Sequence, residues 1–263
     1  MFPGRTDVSS EARVVLVTGG GKGVGRGISE VFLRQGAQVV ICGRSAPETL
    51  PAVDGREAVF LPCDVRDSEA VAALFDEIES RYGRLDVLVN NAGGAPFALA
   101  AAASPRFHEK IIALNLLAPL QLAQAANRLM QQQAGGGVVV FVASISALRP
   151  SPGTAAYGAA KAGILSLTQS LAVEWAPKVR VVAVSPGLVR TEQSHLHYGD
   201  EAGIQAVSAT VPLQRMATPV DIGEACAWLS SPAAGYASGT NLVVHGGGER
   251  PAFLDAAAVN KDQ

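Results

Sequence analysis

The sequence has few aromatic residues and few charged residues. Of 263 residues, 5% are aromatic and 17% are charged, whereas 48% are hydrophobic. The 21 basic and 23 acidic residues give a net charge of -2 and are scattered along the chain, so no basic or acidic block points to a nucleic acid or a membrane surface as a partner. The abundant alanine that takes the place of larger side chains is suited to close packing of helices on a sheet.

Cysteine is also scarce, and long apolar runs are missing. Cys42, Cys63 and Cys226 show no C-x-x-C spacing and each lies in an apolar context, so we interpret them as small buried residues rather than disulfide or metal ligands. No uninterrupted apolar stretch reaches the length of a membrane span, and residues 2–7 lack the apolar run of a signal peptide. We therefore expect a cytoplasmic protein with no membrane partner.

Short β-branched runs alternate with helical patterns along the whole chain. This alternation predicts right-handed βαβ units, that is, an α/β fold with a single Rossmann-type domain and a doubly wound parallel sheet of about seven strands with helices on both faces. No linker or repeat divides residues 1–263; we expect a core at about 12–250 and flexible termini. The predicted strands are 14–17, 38–41, 58–61, 87–89, 138–142, 180–184 and 241–244, and the predicted helices are 23–35, 68–82, 105–132, 155–176 and 219–230.

A glycine-rich turn follows the first predicted strand and leads into a helix. Its spacing is Gly19, three residues, Gly23, one residue, Gly25, which is neither G-x-G-x-x-G nor a Walker loop. Glycines let the backbone approach a pyrophosphate, and a helix N-terminus favours its charge. A merely flexible turn is the alternative, but the first βα junction is where nucleotide binding requires such a device. The candidate binding residues in this turn are Thr18, Gly19, Lys22, Gly23, Val24 and Gly25.

The second predicted strand has no acidic residue at its end. An NAD site usually places an acid there to bind the ribose 2′-hydroxyl, but the strand here is followed by Arg44. Arg44, together with Lys22, could pair with a 2′-phosphate instead. These cations could also be ordinary solvated charges. We expect NADP as the cofactor, with NAD as the less favoured alternative.

Tyr157 and Lys161 lie four residues apart in a predicted helix, which places them on one face. A phenol normally titrates near a pKa of about 10. A neighbouring ammonium favours the phenolate, so we expect Lys161 to lower the pKa of Tyr157 and to make it a general acid/base. The spacing alone is common by chance, and the surrounding motifs decide its meaning.

With the glycine turn, this pair resembles the short-chain dehydrogenase/reductase family over residues 12–250, in particular its 3-oxoacyl reductases. Further motifs match in the family's order: Asn90–Gly93 after the fourth strand, Asp64 and Val65 after the third, Asn115 in a helix, Ser144 placed 13 residues before Tyr157, Pro186, Gly187, Val189 and Thr191 after the sixth strand, and Gly246–Gly248.

The resemblance implies a catalytic tetrad of Asn115, Ser144, Tyr157 and Lys161. In it Ser144 binds the carbonyl oxygen, Tyr157 donates the proton, Lys161 also holds the nicotinamide ribose, and Asn115 anchors a water. Ser146 competes with Ser144 for its role, and the alternative for Asn115 is that it only interrupts its helix before Pro119. The implied cofactor contacts beyond the turn and Arg44 are Asp64, Val65, Asn91, Ala92, Gly93, Tyr157, Lys161, Pro186, Gly187, Val189 and Thr191.

The segment 188–215 is expected to form a variable substrate lid, as the resemblance implies. Its His195 and His197 have no third ligand at metal spacing, so no metal site is expected. Arg149 could meet an anionic group or simply face solvent. The favoured activity is interconversion of a small-molecule ketone, such as a 3-oxoacyl thioester, and a secondary alcohol with NADP. The alternatives are an NAD-dependent alcohol or steroid dehydrogenase and a nucleotide-binding scaffold without turnover. The family resemblance also implies a homotetramer, with a homodimer as the alternative.

Overall fold

A seven-stranded parallel sheet forms the centre of the computed structural model, which describes residues 12–256. The expected flexible termini fall mostly on residues 1–11 and 257–263, outside the described part of the chain. The strands of the sheet are β1 (Val14–Thr18), β2 (Gln38–Gly43), β3 (Val59–Pro62), β4 (Val87–Asn90), β5 (Gly137–Val142), β6 (Val179–Pro186) and β7 (Asn241–Val244). In the sheet they follow the order β3-β2-β1-β4-β5-β6-β7.

Helices cover both faces of this sheet, which confirms the predicted doubly wound fold. Their bounds are α1 (Gly23–Arg34), α2 (Ser68–Tyr82), α3 (Pro105–Ile112), α4 (Ala118–Gln132), α5 (Ala155–Trp175), α6 (His195–Tyr198), α7 (Glu201–Ala209), α8 (Pro219–Leu229) and α9 (Phe253–Ala256). No helix in residues 12–256 combines the length and the apolar character needed to cross a membrane.

Successive strand residues point to opposite faces and so supply two separate cores. Leu16 packs with one cluster, formed with α2, α4 and α5. Its neighbours Val15 and Val17 pack with the other cluster, formed with α1 and α8. Because both faces are buried, the strands need apolar residues at every position, as the near-continuous valine runs supply.

The predicted helix 105–132 is interrupted. Between α3 and α4 the turn Ala113–Leu117 is a π-helix, and Asn115 lies inside it. Pro119, in the first turn of α4, has no backbone N–H to donate, and the Asn115 side chain donates to the Ile111 carbonyl oxygen at 2.9 Å. Proline and inserted side chains are common causes of such an irregularity.

The carboxyl ends of the strands meet at one edge of the sheet. From β1 the sheet grows through β2 and β3 on one side and through β4 to β7 on the other. The strand order therefore reverses between β1 and β4. A crevice at such a reversal is where ligands bind in open α/β sheets. Two short helices, α6 and α7, which were not predicted, lie in the segment that follows β6.

Candidate active site

A cavity of about 670 Å³ lies outside the carboxyl ends of the strands and reaches from the glycine turn to α5. It brings together most of the predicted site residues, although they come from distant parts of the chain. Those that line it are Gly19, Lys22, Gly23, Val24, Gly25, Arg44, Asn91, Ala92, Gly93, Ser144, Tyr157, Lys161, Pro186, Gly187, Val189 and Thr191.

The glycine turn and the N-terminus of α1 form one end of this cavity. A Cβ at position 25 would collide with the Gly19 carbonyl oxygen and lie 2.6 Å from Asn91 Nδ2, so this position has room only for glycine. The N-cap residue Lys22 makes no side-chain capping bond, and the first turn of α1 contains no acidic residue. Free N–H groups and the helix dipole at such an end suit an anion.

Thr18 does not line the cavity; it holds the neighbouring loop in place. Its buried Oγ1 accepts hydrogen bonds from the backbone N–H groups of Asn91 at 3.0 Å and Ala92 at 2.9 Å. Asn91 Nδ2 in return donates to the Thr18 carbonyl oxygen at 2.9 Å. The glycine turn and the loop after β4 are thereby tied together, which fixes one wall of the cavity.

Two exposed cations border this end of the cavity. Arg44, just after β2, and Lys22 both line it, and neither has a hydrogen-bond or ion-pair partner within residues 12–256. Arg44 contributes with other groups to the low pKa of Asp64, so its charge acts toward β3 as well. Both side chains therefore remain available to an anionic ligand.

Asp64 and Val65 are not brought to the cavity wall. The Asp64 carboxylate accepts hydrogen bonds from Arg66 Nε at 2.9 Å and Arg66 Nη2 at 2.7 Å. The bond from Arg66 is the main reason why the pKa of Asp64 falls to about 2. Val65 is buried in the core cluster beneath α2. Sequence reasoning missed the Arg66 contact. Arg66 lies only two positions from Asp64 and occupies both of its carboxylate oxygens.

Ser144 and Tyr157 lie together at the opposite end of the cavity, where a hydrogen bond from Ser144 acts on the pKa of the phenol. Ser144 follows β5 in extended backbone, and its Oγ also accepts from the Ser146 N–H at 3.1 Å. Burial raises the pKa of the Tyr157 phenol above its ordinary value, and the bond from Ser144 lowers it by less. The net shift is upward, so the phenol keeps its proton at neutral pH.

Lys161 lies beneath Tyr157 and is buried. Its Nζ donates to the Val142 carbonyl oxygen at 2.7 Å and lies 5.6 Å from the centre of the Tyr157 ring. Burial lowers the pKa of Lys161 to about 8. The expectation that Lys161 lowers the pKa of Tyr157 is wrong for this arrangement, because burial dominates the titration of the phenol and the hydrogen bond that opposes it comes from Ser144.

Asn115 lies behind the cavity wall, where it braces the loop after β4. Its Oδ1 accepts from the Gly94 N–H at 2.8 Å, and its Nδ2 donates to the Gly94 carbonyl oxygen at 3.0 Å. A Cβ at Gly93 would lie 2.6 Å from Asn115 Oδ1 and 3.5 Å from Lys161 Nζ. Asn115 thus lies near Lys161, although its polar atoms are already occupied by backbone groups.

The segment after β6 folds over the cavity mouth. Glu192 and Gln193 join the cavity lining, and Glu192 accepts a hydrogen bond from the glycine turn that sequence reasoning did not anticipate. His195 Nδ1 contacts the Glu192 carbonyl oxygen at 3.0 Å, and in the described part of the chain no group of three metal-ligating side chains forms.

Arg149 lies beyond the cavity and has a partner of its own. The sequence left an anionic ligand group and solvent as alternatives for Arg149. Instead its Nη2 lies 2.7 Å from Glu249 Oε1 and forms a salt bridge between the loop after β5 and the chain after β7. Tyr198 lies close enough for both charges to act on its pKa, which burial raises.

A family model described as enoyl-(acyl carrier protein) reductase matches residues 19–249. The chain belongs to the short-chain dehydrogenase/reductase family. It is 37% identical over 240 residues to an uncharacterized short-chain type dehydrogenase/reductase of Sinorhizobium fredii; that match covers 89% of the chain and 43% of the relative, so the chain spans less than half of that protein's length.

Two further matches extend over nearly the whole of both proteins. A D-threitol dehydrogenase of Mycolicibacterium smegmatis is 34% identical, over 92% of the chain and 94% of the relative. The ligand-free structure of an aldohexose dehydrogenase from Thermoplasma acidophilum superposes with a TM-score of 0.84 at 29% identity, covering 96% of the chain and 97% of that structure. This short-chain dehydrogenase/reductase is thus an oxidoreductase of CH–OH and C=O groups, in a family that uses NAD(P).

Proposed function

We propose that the protein interconverts a ketone and a secondary alcohol with NADP(H) and that Tyr157 exchanges the proton. One observation carries this proposal: Ser144 and Tyr157, with Lys161 beneath them, line the same cavity as the glycine turn. A proton donor and a dinucleotide-binding device facing one space are what carbonyl reduction requires.

The residues present fit a dinucleotide phosphate. The turn around Gly25 has no room for a side chain, the N-terminus of α1 lacks an acidic residue of its own, and the cations Lys22 and Arg44 have no partner among the described residues. The glycine turn would hold the pyrophosphate, and the walls formed by Asn91–Gly93 and Pro186–Thr191 would enclose the nicotinamide end. When bound, the cofactor supplies or accepts the hydride.

The side chains of the chain itself account for the proton. Tyr157 holds its proton at neutral pH because burial raises its pKa, and it can therefore act as the acid when a carbonyl is reduced. Ser144, which lines the same cavity as the phenol, is placed to donate a hydrogen bond to the same carbonyl oxygen and to stabilise the charge that develops there. Lys161 supplies the nearest buried cation, and Asn115 keeps the adjoining loop in place.

A preference for NADP over NAD rests on charge. No acid follows β2, and an acid there would repel a 2′-phosphate, whereas Arg44 and Lys22 would attract it. A 2′-phosphate between two free cations gains charge-assisted hydrogen bonds that NAD cannot make.

Two substrate classes compete. We favour a 3-oxoacyl thioester or a similar ketone, as the resemblance implies. The second class is a polyol or aldose oxidised with NAD, which is favoured by the names of the threitol relative and the aldohexose neighbour. A nucleotide-binding scaffold without turnover is a weaker alternative, because such a protein needs neither the phenol nor the buried lysine.

The test is a panel of ketones, oxoacyl thioesters, polyols and aldoses, assayed with all four cofactor forms: NADPH, NADH, NADP+ and NAD+. The proposal requires reduction of at least one carbonyl with a clear preference for NADPH. Preferred oxidation of polyols with NAD+ would establish the second class. Cofactor binding without turnover on any substrate would favour the scaffold.

Assembly and location extend the same proposal. We expect a homotetramer, with a homodimer as the alternative, formed through α4, α5 and the region of β7, in the cytoplasm. Leu117, just before α4, is 55% accessible, and Val173, on α5, is 82% accessible. A partner copy would cover both side chains. Sedimentation equilibrium that shows only monomer would contradict this part of the proposal.

A further inference from the structure

A carboxylate of the chain itself occupies the anion-binding end of α1. Glu192 Oε1 accepts a hydrogen bond from the Gly23 backbone N–H at 2.9 Å, although the two residues are 169 positions apart. Gly23 is the first residue of α1 and belongs to the glycine turn. The donor that a bound phosphate would use is therefore taken by a side chain from the segment after β6.

The helix end offers no alternative acidic partner of its own. Lys22 makes no side-chain capping bond, and the first turn of α1 has no acidic residue. Helices usually gain such a cap from their own N-cap side chain. Here Glu192, in the segment after β6, supplies it, so the contact links that segment to the glycine turn.

The segment around Glu192 has local structure that presents the carboxylate. The Thr191 N–H donates to Ser194 Oγ at 2.9 Å, and the Gln193 N–H donates to Thr191 Oγ1 at 3.3 Å. Ser194 is buried, and a Cβ at Gly23 would lie 3.8 Å from the Thr191 methyl group. Hydrogen bonds within residues 191–194 thus order the segment that carries Glu192, and its Thr191 methyl lies next to Gly23.

From this geometry we infer that Glu192 is a built-in competitor for the phosphate of the cofactor. We call its contact with Gly23 the latch. A carboxylate and a phosphate require the same backbone donor and repel each other, so the latch must open before a dinucleotide settles on the turn. This inference rests on the proposed function, because it assumes that the glycine turn receives a nucleotide phosphate.

The latch lowers the apparent affinity for any phosphate-bearing ligand, because only the open fraction of the protein can bind it. An exposed carboxylate at a helix N-terminus is worth a modest amount, equivalent to about twofold to fivefold in affinity. A nucleoside without phosphate does not need the Gly23 N–H, so its affinity should not depend on the latch.

The experiment measures dissociation constants by calorimetry for NADP+, NAD+, ADP and adenosine. The proteins are the wild type, Glu192→Ala and Glu192→Asp. The alanine removes both charge and contact; the aspartate keeps the charge but is too short to reach Gly23 from the same backbone. Glu201→Gln is the matched control, because it removes a negative charge from α7, where Glu201 pairs with Arg190 at 2.9 Å.

We expect both Glu192 variants to bind NADP+ and ADP about twofold to fivefold more tightly than the wild type, with adenosine unchanged and Glu201→Gln like the wild type. Tighter binding by the alanine variant alone would overturn the latch, because it would indicate repulsion at a distance. Equal gains for adenosine would overturn it as well, since they would indicate a general opening of the segment.

A second measurement separates the latch from the proposed function. Hydrogen exchange of the peptide that contains Gly23 should be faster in Glu192→Asp than in the wild type without nucleotide, and equal in both when NADP+ is saturating. If the wild type binds NADP+ but neither variant differs in affinity or exchange, the latch is wrong and the proposed function stands. If the wild type binds neither NADP+ nor NAD+, the proposed function itself fails.

Discussion

The Lys161 ammonium lies 5.6 Å from the centre of the Tyr157 ring and donates a hydrogen bond to the Val142 carbonyl oxygen rather than to the phenol. Burial shifts the pKa values of the two side chains in opposite directions: the pKa of Tyr157 rises, and that of Lys161 falls to about 8. The protein without cofactor therefore holds a neutral phenol above a lysine whose charge is disfavoured. Each shift has a measurable consequence.

Replacing Lys161 by methionine should change how stability depends on pH. The pKa of Lys161 is about 8 in the folded protein and near 10.5 in the unfolded chain. Between these values the unfolded chain binds more protons, so the free energy of unfolding of the wild type rises with pH, whereas below pH 8 the cost of burying the charge is fully present. Relative to Lys161→Met, the wild type should gain about 2 kcal/mol between pH 7.5 and 9.5 in urea unfolding.

The matched control is Lys110→Met, which removes an exposed lysine on α3 and should leave the wild-type pH dependence intact. A stability difference between wild type and Lys161→Met that stays flat across this range would show that the lysine titrates normally in the folded state.

Removal of the Arg44 guanidinium should affect NADPH and spare NADH. Arg44 borders the cavity without a hydrogen-bond partner in the described residues, so its loss costs the protein little else. A charge-assisted contact to a phosphate implies a rise in KM for NADPH of about tenfold or more in Arg44→Ala, with KM for NADH nearly unchanged. Arg34→Ala, at the other end of α1, is the control. Equal losses for both cofactors would remove the charge argument for NADP.

Ser144 and Ser146 can be separated by kinetics. Ser144 acts on the pKa of the Tyr157 phenol, whereas the Ser146 contact to Ser144 is made by the backbone N–H, which survives in Ser146→Ala. We expect Ser144→Ala to lower kcat by about 100-fold with little change in cofactor KM, and Ser146→Ala to remain close to wild type. The reverse order of the two effects would assign the role to Ser146.

Asn115 should matter for stability as well as for activity. Its buried side chain makes three hydrogen bonds to Gly94 and Ile111 backbone groups. Truncation leaves those groups unpaired, so Asn115→Ala should lose about 2–4 kcal/mol of unfolding free energy. Asn127→Ala in α4, which loses one bond to Gln131, should lose less than about 1 kcal/mol. Similar losses for both variants would contradict a bracing role for Asn115.

The strands and most helix bounds could be predicted from sequence because their signals are local. Valine runs predicted the buried strands. The ends of α2 are also formed locally, because Asp67 accepts hydrogen bonds from the Glu69 and Ala70 N–H groups and Gly83 adopts φ 65°. The cavity residues could be predicted as a group, because strand ends in a parallel sheet meet at one edge whatever lies between them.

The rest depends on tertiary structure. The direction of the Tyr157 shift follows from burial, which a four-residue spacing cannot reveal. The contact between Gly23 and Glu192 joins residues on different elements and leaves no pattern in the chain. The interruption at Asn115 lies inside the predicted helix 105–132, and Pro119 was the only local sign of a break.

The most direct test of the central claim is Tyr157→Phe, measured for both turnover and cofactor binding. The substitution removes only the phenolic oxygen that carries the proton. We predict that kcat for the best carbonyl found in the panel falls by at least about 1,000-fold, while the dissociation constant for NADP+ stays within about threefold of the wild type. Substantial carbonyl reduction by Tyr157→Phe would contradict the assignment of Tyr157 as the proton donor.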